Sequence, residues 1–208
     1  MYIPFSKLYD LYKLNITGIL HVGAYECEEI IYYEKYVPRN KILWIEAMYD
    51  KVMNNKIKYK DLMIEHAIVS DCEEIVKFNI SNNGQSSSFL ELGEHKLIYP
   101  DVEYINYFYD KTKTLNNILK NYNDIKFNFL NLDIQGTELK AIKGMENYLK
   151  FVDYIYTEVN ICEIYIGCTI LNDLDEYLNK HGFKRVELEW GYNNKWGDAF
   201  YIRKNHLN

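Results

Sequence analysis

The chain has 208 residues, 48% hydrophobic and 26% charged, with a formal net charge of −6. That composition fits one ordinary globular domain, residues 1–208, burying roughly 70% of its unfolded surface, and not a disordered chain. The acidic balance, with lysines scattered and not striped, gives no footprint for a phosphate backbone and disfavours nucleic acid as the main partner.

The first residues lack a basic head followed by a long apolar run, so no secretory signal is read. No stretch nears the roughly 18 apolar residues of a membrane span. Cys27, Cys72, Cys162 and Cys168 show no zinc-ribbon spacing. Reduced thiols in a cytoplasmic protein are expected.

Residues 1–15 read as a helical extension, with Phe5, Leu8, Leu11 and Tyr12 forming one apolar face. Residues 16–22 predict a buried strand that runs into HVGAYECEE, and the spacing of Ile30, Ile31, Tyr33 and Val37 predicts a helix. A second strand covers 42–45 and closes on Glu46; a helix at 50–59 and a third strand at 62–69 follow. Alternating β and α units of this kind predict a parallel sheet.

Residues 74–80 read as an edge strand opening into the loop SNNGQSSSF. Residues 81–113 are expected to form a loop and insertion near the active site, holding one strand. Thr114 is placed to cap a helix at 115–122.

FNFLNLDIQGTELKAIKG, residues 127–144, is the centre of the pattern. Its apolar run is too dense for a half-exposed strand, so it reads as a central strand ending at Asp133. A helix then starts near Gly136, with Leu139, Ile142, Met145 and Leu149 as its inner stripe. A further strand at 151–159 ends near Glu158 and Asn160, and a helix at 170–181 stops at Gly182. Two last strands, 183–190 and 198–203, are expected as a hairpin. Open parallel sheets bind ligands beyond the carboxyl ends of their strands, where Asp133, Gln135 and Glu138 fall.

The first strand-to-helix turn offers one glycine, Gly23, where a pyrophosphate fingerprint needs three. A dinucleotide is therefore disfavoured. A nucleoside ligand asks less: backbone N–H groups near Gly23 and Ala24, and an acid such as Glu46 for the ribose hydroxyls. Gly23 as a plain turn and Glu46 as a surface acid remain open on these features alone.

HVGAYECEE, WIEA, HAIVSD, the SSSF loop, TKTLNNIL, LDIQGTELKAIKGMENYL, YIYTEVN and WGDAFYIR occur in the order of the FkbM-type methyltransferases. The chain resembles that family over residues 17–203, most specifically where LDIQGTELKAIKG resembles D-x-E-G-x-E-x-x-x-L-x-G. The resemblance implies a Rossmann-like α/β fold: a single, mostly parallel seven-stranded sheet of order 3-2-1-4-5-7-6, the last-inserted strand antiparallel, with helices on both faces. It also implies an O-methyltransferase dependent on S-adenosylmethionine (SAM), acting on a sugar hydroxyl of a glycan or glycosylated precursor. On it, the cofactor contacts are His21, Gly23, Ala24, Tyr25, Glu26, Glu46, Ala47, Ala67, Ser87, Asp133 and Gln135. The family opens its first motif D-V-G-A-N; here His21 and Tyr25 replace the Asp and the Asn, and Glu26 or another nearby acid takes the ammonium of the cofactor.

Asp133 occupies the position that faces the transferable methyl in such enzymes. It is the favoured base for the acceptor hydroxyl, with Glu158 second. Asp133, Glu158 and Asn160 also resemble a magnesium-binding set, and hard oxygen ligands suit Mg²⁺; this reading is not favoured over the base. Ser88, Asn160, Trp196 and Asp198 are the candidate acceptor contacts, with Trp190, Tyr192 and Trp196 offering a stacking wall for a sugar ring. Glu138 falls where a helix dipole favours an acid without any chemistry. An NAD-dependent oxidoreductase and a methyltransferase-like binding protein without turnover are the alternatives.

Overall fold

A computed structural model describes residues 1–191 and 193–207. In chain order the elements are α1 (Phe5–Tyr12), β1 (Ile19–Val22), α2 (Ile30–Tyr33), β2 (Ile42–Glu46), α3 (Tyr49–Lys58), β3 (Met63–His66), β4 (Ile75–Ser81), α4 (His95–Ile98), β5 (Tyr104–Lys111), α5 (Leu115–Leu119), β6 (Phe129–Leu132), α6 (Glu138–Lys143), β7 (Tyr154–Asn160), α7 (Leu171–Lys180), β8 (Phe183–Trp190) and β9 (Trp196–Arg203).

Seven strands form one sheet of order β3-β2-β1-β6-β7-β9-β8. β1, β2, β3, β6 and β7 run parallel, and β9 is antiparallel to both β7 and β8. Chain numbering departs from the expected 3-2-1-4-5-7-6 because β4 and β5 leave the sheet and pair with each other, antiparallel, in a second sheet of their own. The single-sheet expectation is corrected accordingly. Residues 75–81 are not an edge of the main sheet: Val76, Phe78 and Ile80 pack with Met48, Ile68 and Phe108 in a separate apolar cluster.

The central strands are apolar on both faces because both are covered. Alternation sends Leu20, Val22, Leu43, Ile45, Leu130, Leu132 and Ile155 to one core, with α5, α6 and α7. Ile19, Ile42, Trp44, Phe129, Tyr154 and Phe200 go to the other, with α1 and α2. His21 and Asn131 are register partners in this second layer, an exception to its apolar rule.

Two expected helices are shorter than their periodicity suggests. Only Ile30–Tyr33 is helical after β1. Gly136 stands at φ +101, outside the helical range, so α6 begins at Glu138, and a 3₁₀ segment, Glu146–Phe151, completes the stripe. The Thr114 cap is present: its hydroxyl accepts from Asn117 N–H at 3.2 Å. The carboxyl ends of β1, β2, β6 and β7 open together onto one side of the sheet, where the main cavity lies.

Candidate active site

A cavity of about 600 Å³ opens beyond these strand ends. It falls in the range of small-molecule and cofactor sites. His21, Gly23, Ala24, Tyr25, Glu46, Ala47, Ala67, Ser87, Asp133, Gln135, Glu158, Trp196 and Asp198 all line it. Glu26, Ser88 and Asn160 do not.

Gly23 shows why the first turn is built as it is. At φ +93 it brings its Cα against β6, and a Cβ there would lie 1.8 Å from the carbonyl oxygen of Asp133. Only glycine fits such an approach. The N–H groups of Gly23 and Ala24, expected for a ligand, both donate to the Ile45 carbonyl, at 2.9 and 3.0 Å. They lock the turn to β2 and are not free donors.

Glu46 ends β2 with its carboxylate buried. Tyr25 N–H donates to Oε2 at 2.7 Å and Met48 N–H to Oε1 at 2.8 Å. Burial raises its pKa, and the backbone N–H groups of Met48, Tyr25 and Ala47 oppose that. A carboxylate has about four acceptor sites, so two bonds leave capacity for hydroxyls. Glu26, by contrast, is exposed and pairs with Lys51 Nζ at 2.7 Å.

His21 is closed in. Its ring stacks on Trp44 at 4.6 Å, Nε2 is 3.3 Å from the Gly23 carbonyl, and Nδ1 is 3.1 Å from Tyr33 Oη. Burial lowers its pKa, which keeps the ring neutral at pH 7. With Nε2 protonated toward the Gly23 carbonyl, Nδ1 is the acceptor for Tyr33 O–H, so both ring nitrogens are engaged within the protein.

Asp133 and Glu158 meet through one side chain. Gln135 Nε2 donates to Asp133 Oδ1 at 2.7 Å and to Glu158 Oε2 at 3.1 Å. Asp133 is exposed at its surface, but that surface faces the cavity, whose lining crowds the carboxylate. Burial, then the charge of Asp198, pushes its pKa up to about 6, while the Gln135 bond pulls it down. Burial raises Glu158 well above the carboxylate range, helped by Asp133, Glu138 and Asp198. Asp198 accepts from Tyr156 O–H and, at 2.6 Å, from Tyr2 N–H.

Glu138 is fully buried and accepts from Ile134 and Gly136 N–H, each at 3.1 Å. It braces the turn before α6. Asn160 is also fully buried, and neither polar atom of its side chain meets a partner. Of the set Asp133, Glu158 and Asn160, the first two line the cavity and Asn160 does not. No cluster of three His, Cys, Asp or Glu suited to a metal occurs among the described residues.

The serine loop is self-bonded: Ser87 O–H donates to the Gly84 carbonyl at 2.7 Å, and Ser88 O–H to the Gln135 carbonyl at 3.0 Å. Trp196 lines the cavity, donating from Nε1 to Tyr99 Oη at 3.1 Å, with Tyr2 edge-on at 5.2 Å. Trp190 packs against the main core instead, and Tyr192 lies outside the described residues. His95, Tyr99 and Tyr165 also line the cavity and were not read from the sequence. Their segments show no clean period. For Tyr165 the available signal was its place in the loop beyond the carboxyl end of β7.

The fold is that of the Rossmann-like methyltransferases. Magnesium protoporphyrin IX methyltransferase (ChlM) from Synechocystis PCC 6803, solved with bound SAM, superposes with a TM-score of 0.53 at 8% identity, over 95% of this chain and 75% of that one. A SAM-dependent methyltransferase from Aquifex aeolicus gives 0.50 at 11% identity, over 95% and 88%. A protein of the NADB-Rossmann superfamily from Streptococcus agalactiae gives 0.51 at 11% identity, over 97% and 69%. At such identities these similarities establish the fold alone. No curated protein matches the chain. The methyltransferase FkbM domain matches residues 21–185, and the chain belongs to that family.

Proposed function

We propose that the protein is a SAM-dependent O-methyltransferase acting on a hydroxyl of a sugar ring, in a glycan or a glycosylated precursor. The observation that carries this reading is the acid-lined cavity at the strand ends. Glu28, Glu29, Glu46, Asp133, Glu158 and Asp198 line it, and no Lys or Arg does among the described residues. That field suits a cofactor carrying a sulfonium and an ammonium, and disfavours a dinucleotide pyrophosphate.

Glu46, with Ala47 and Ala67, would hold the nucleoside end, the carboxylate accepting from ribose hydroxyls. When bound, SAM supplies an electrophilic methyl on a positively charged sulfur, which departs as a neutral thioether. Asp133 accepts the acceptor hydroxyl's proton as its oxygen bonds to carbon. A carboxylate of pKa about 6 is ionised at pH 7 and is a stronger base than an ordinary aspartate. Trp196 and Tyr99 offer the aromatic faces that suit a sugar ring.

Thermal shift tests the cofactor. S-adenosylhomocysteine at 100 times its Kd stabilises the fold by about 2.7 kcal/mol, whereas NAD gives no shift. A shift with NAD alone would move the chain to the oxidoreductases, and a shift with neither ends the cofactor assignment. Asp133→Ala is expected to keep the S-adenosylhomocysteine shift and lose transfer. Full transfer by this variant would remove Asp133 as base.

A further inference from the structure

Gln135 is held at its carbonyl and at both polar atoms of its side chain. Its residue sits at φ +55, an uncommon backbone state for a non-glycine, beside Gly136 at φ +101. Ser88 O–H fixes its carbonyl at 3.0 Å, and Leu90 N–H in turn holds Ser88 Oγ at 3.1 Å. Its amide nitrogen spends both hydrogens on acids, at 2.7 Å to Asp133 and 3.1 Å to Glu158. Its amide oxygen accepts from Tyr165 O–H.

That last contact decides the orientation of the rest. An amide has two faces of opposite sense, and a flipped Gln135 would put its oxygen against two carboxyl groups. Tyr165 supplies the donor that makes the flip unfavourable. Its own position is rigid, since it is 1% exposed and packed with Leu92, Ile164 and Cys168. Backbone bonds clip it further: Gly93 N–H donates to the Ile164 carbonyl at 2.9 Å, and Ile166 N–H to the Glu91 carbonyl at 2.8 Å.

We propose that Tyr165 is a positioning residue for the acid pair: through Gln135 it fixes one oxygen each of Asp133 and Glu158 against the protein and leaves Asp133 Oδ2 to meet the acceptor. Gln135 is then a clamp on the acids more than a cofactor contact. The proposal rests on Asp133 as base for its catalytic meaning, though not for its physical test. The other charged groups acting on the pair are Asp198 on β9, Glu138 on α6, Glu29 before α2 and the α-amino group of Met1.

The family pattern given above has Glu where this chain has Gln135 in D-I-Q-G-T-E. A glutamate there would bring a third carboxyl to two acids that now share one neutral donor. The neutral amide allows the two acids to be held together without an added charge.

Carboxyl-¹³C NMR titration of the full chain, without acceptor, tests this. Gln135 N–H groups favour the ionised acids, so releasing the amide raises their midpoints. Tyr165→Phe, which keeps the ring, is expected to raise the Asp133 and Glu158 midpoints by about one pH unit, the worth of one charge-assisted bond. Gln135→Met is expected to raise them at least as far and serves if Tyr165→Phe does not fold. Unchanged midpoints in Tyr165→Phe beside raised ones in Gln135→Met would overturn the role of Tyr165. Unchanged midpoints in Gln135→Met would overturn the clamp. Failure of the methyltransferase reading shows separately, as no S-adenosylhomocysteine shift in the unaltered chain.

Discussion

Glu158 and Asp198 stand directly opposite one another across the antiparallel ladder of β7 and β9, and both line the cavity. Like charges at such a pair raise each other's affinity for protons. The strain is met unequally. Asp198 has Tyr156 O–H and Tyr2 N–H as donors, whereas Glu158 shares a single amide with Asp133.

Asp198→Asn therefore lowers the proton affinity of both other acids. The charge of Asp198 is the second cause raising Asp133, after burial. In the variant the Asp133 midpoint is expected to fall below its present value of about 6, read by carboxyl-¹³C titration. A midpoint that stays or rises would show that Asp198 does not act on Asp133 through its charge.

Asp133 also carries a cost in stability, and its sign can be worked out. Its folded pKa is raised from 3.8 to about 6, so between those values the native state binds more protons than the unfolded chain. Stability then falls as pH rises through that window, and the full cost is present above it. Asp133→Asn lacks the titration and keeps an acceptor for Gln135. Its Tm is expected to exceed that of the parent at pH 8, with the gap closing toward pH 4. A gap independent of pH would contradict this.

Glu46 joins two loops as well as facing the cavity. Glu46→Ala frees the N–H groups of Tyr25 and Met48 and removes the proposed ribose acceptor. Calorimetric titration with S-adenosylhomocysteine is expected to give a Kd at least about tenfold weaker, or about 1.4 kcal/mol. An unchanged Kd would leave Glu46 as a loop brace only.

Gly23→Ala tests the close approach of β1 and β6. The added Cβ would meet the Asp133 carbonyl oxygen at 1.8 Å, in a backbone state unfavourable to any L side chain. A loss of at least about 2 kcal/mol is expected in chemical denaturation. A loss below about 0.5 kcal/mol, the size of a neutral surface change, would show that the turn relaxes freely.

Much of this was legible because it is local and periodic. The run Phe129–Leu132 with Asp133 behind it, the cap at Thr114 and the hairpin of β8 and β9 all follow from residue spacing. What escaped was set by partners distant in sequence. Nothing near Gly23 says that its N–H is spoken for by Ile45, and nothing near Ser88 says that its hydroxyl ends on Gln135. Asn160 ends a strand beside the site, as its position suggested, but it is fully buried and does not line the cavity. The second sheet was missed for a similar reason: pairing between residues 75 and 111 is decided by a return of the chain after a long connection whose one regular element is the short helix α4.

The wall of the cavity around His95 and Tyr165 is joined mainly by main chain. Gly93, Glu94 and His95 N–H groups donate to the carbonyls of Ile164, Glu163 and Ile164, at 2.9, 2.8 and 3.1 Å. Bonds of that sort do not depend on which side chains the segments carry. Side-chain changes in these two stretches can therefore reshape this wall of the cavity while the seam that attaches them survives. The cavity lining is thereby uncoupled from the frame that carries it: residues facing the cavity can be exchanged on a fixed main-chain seam.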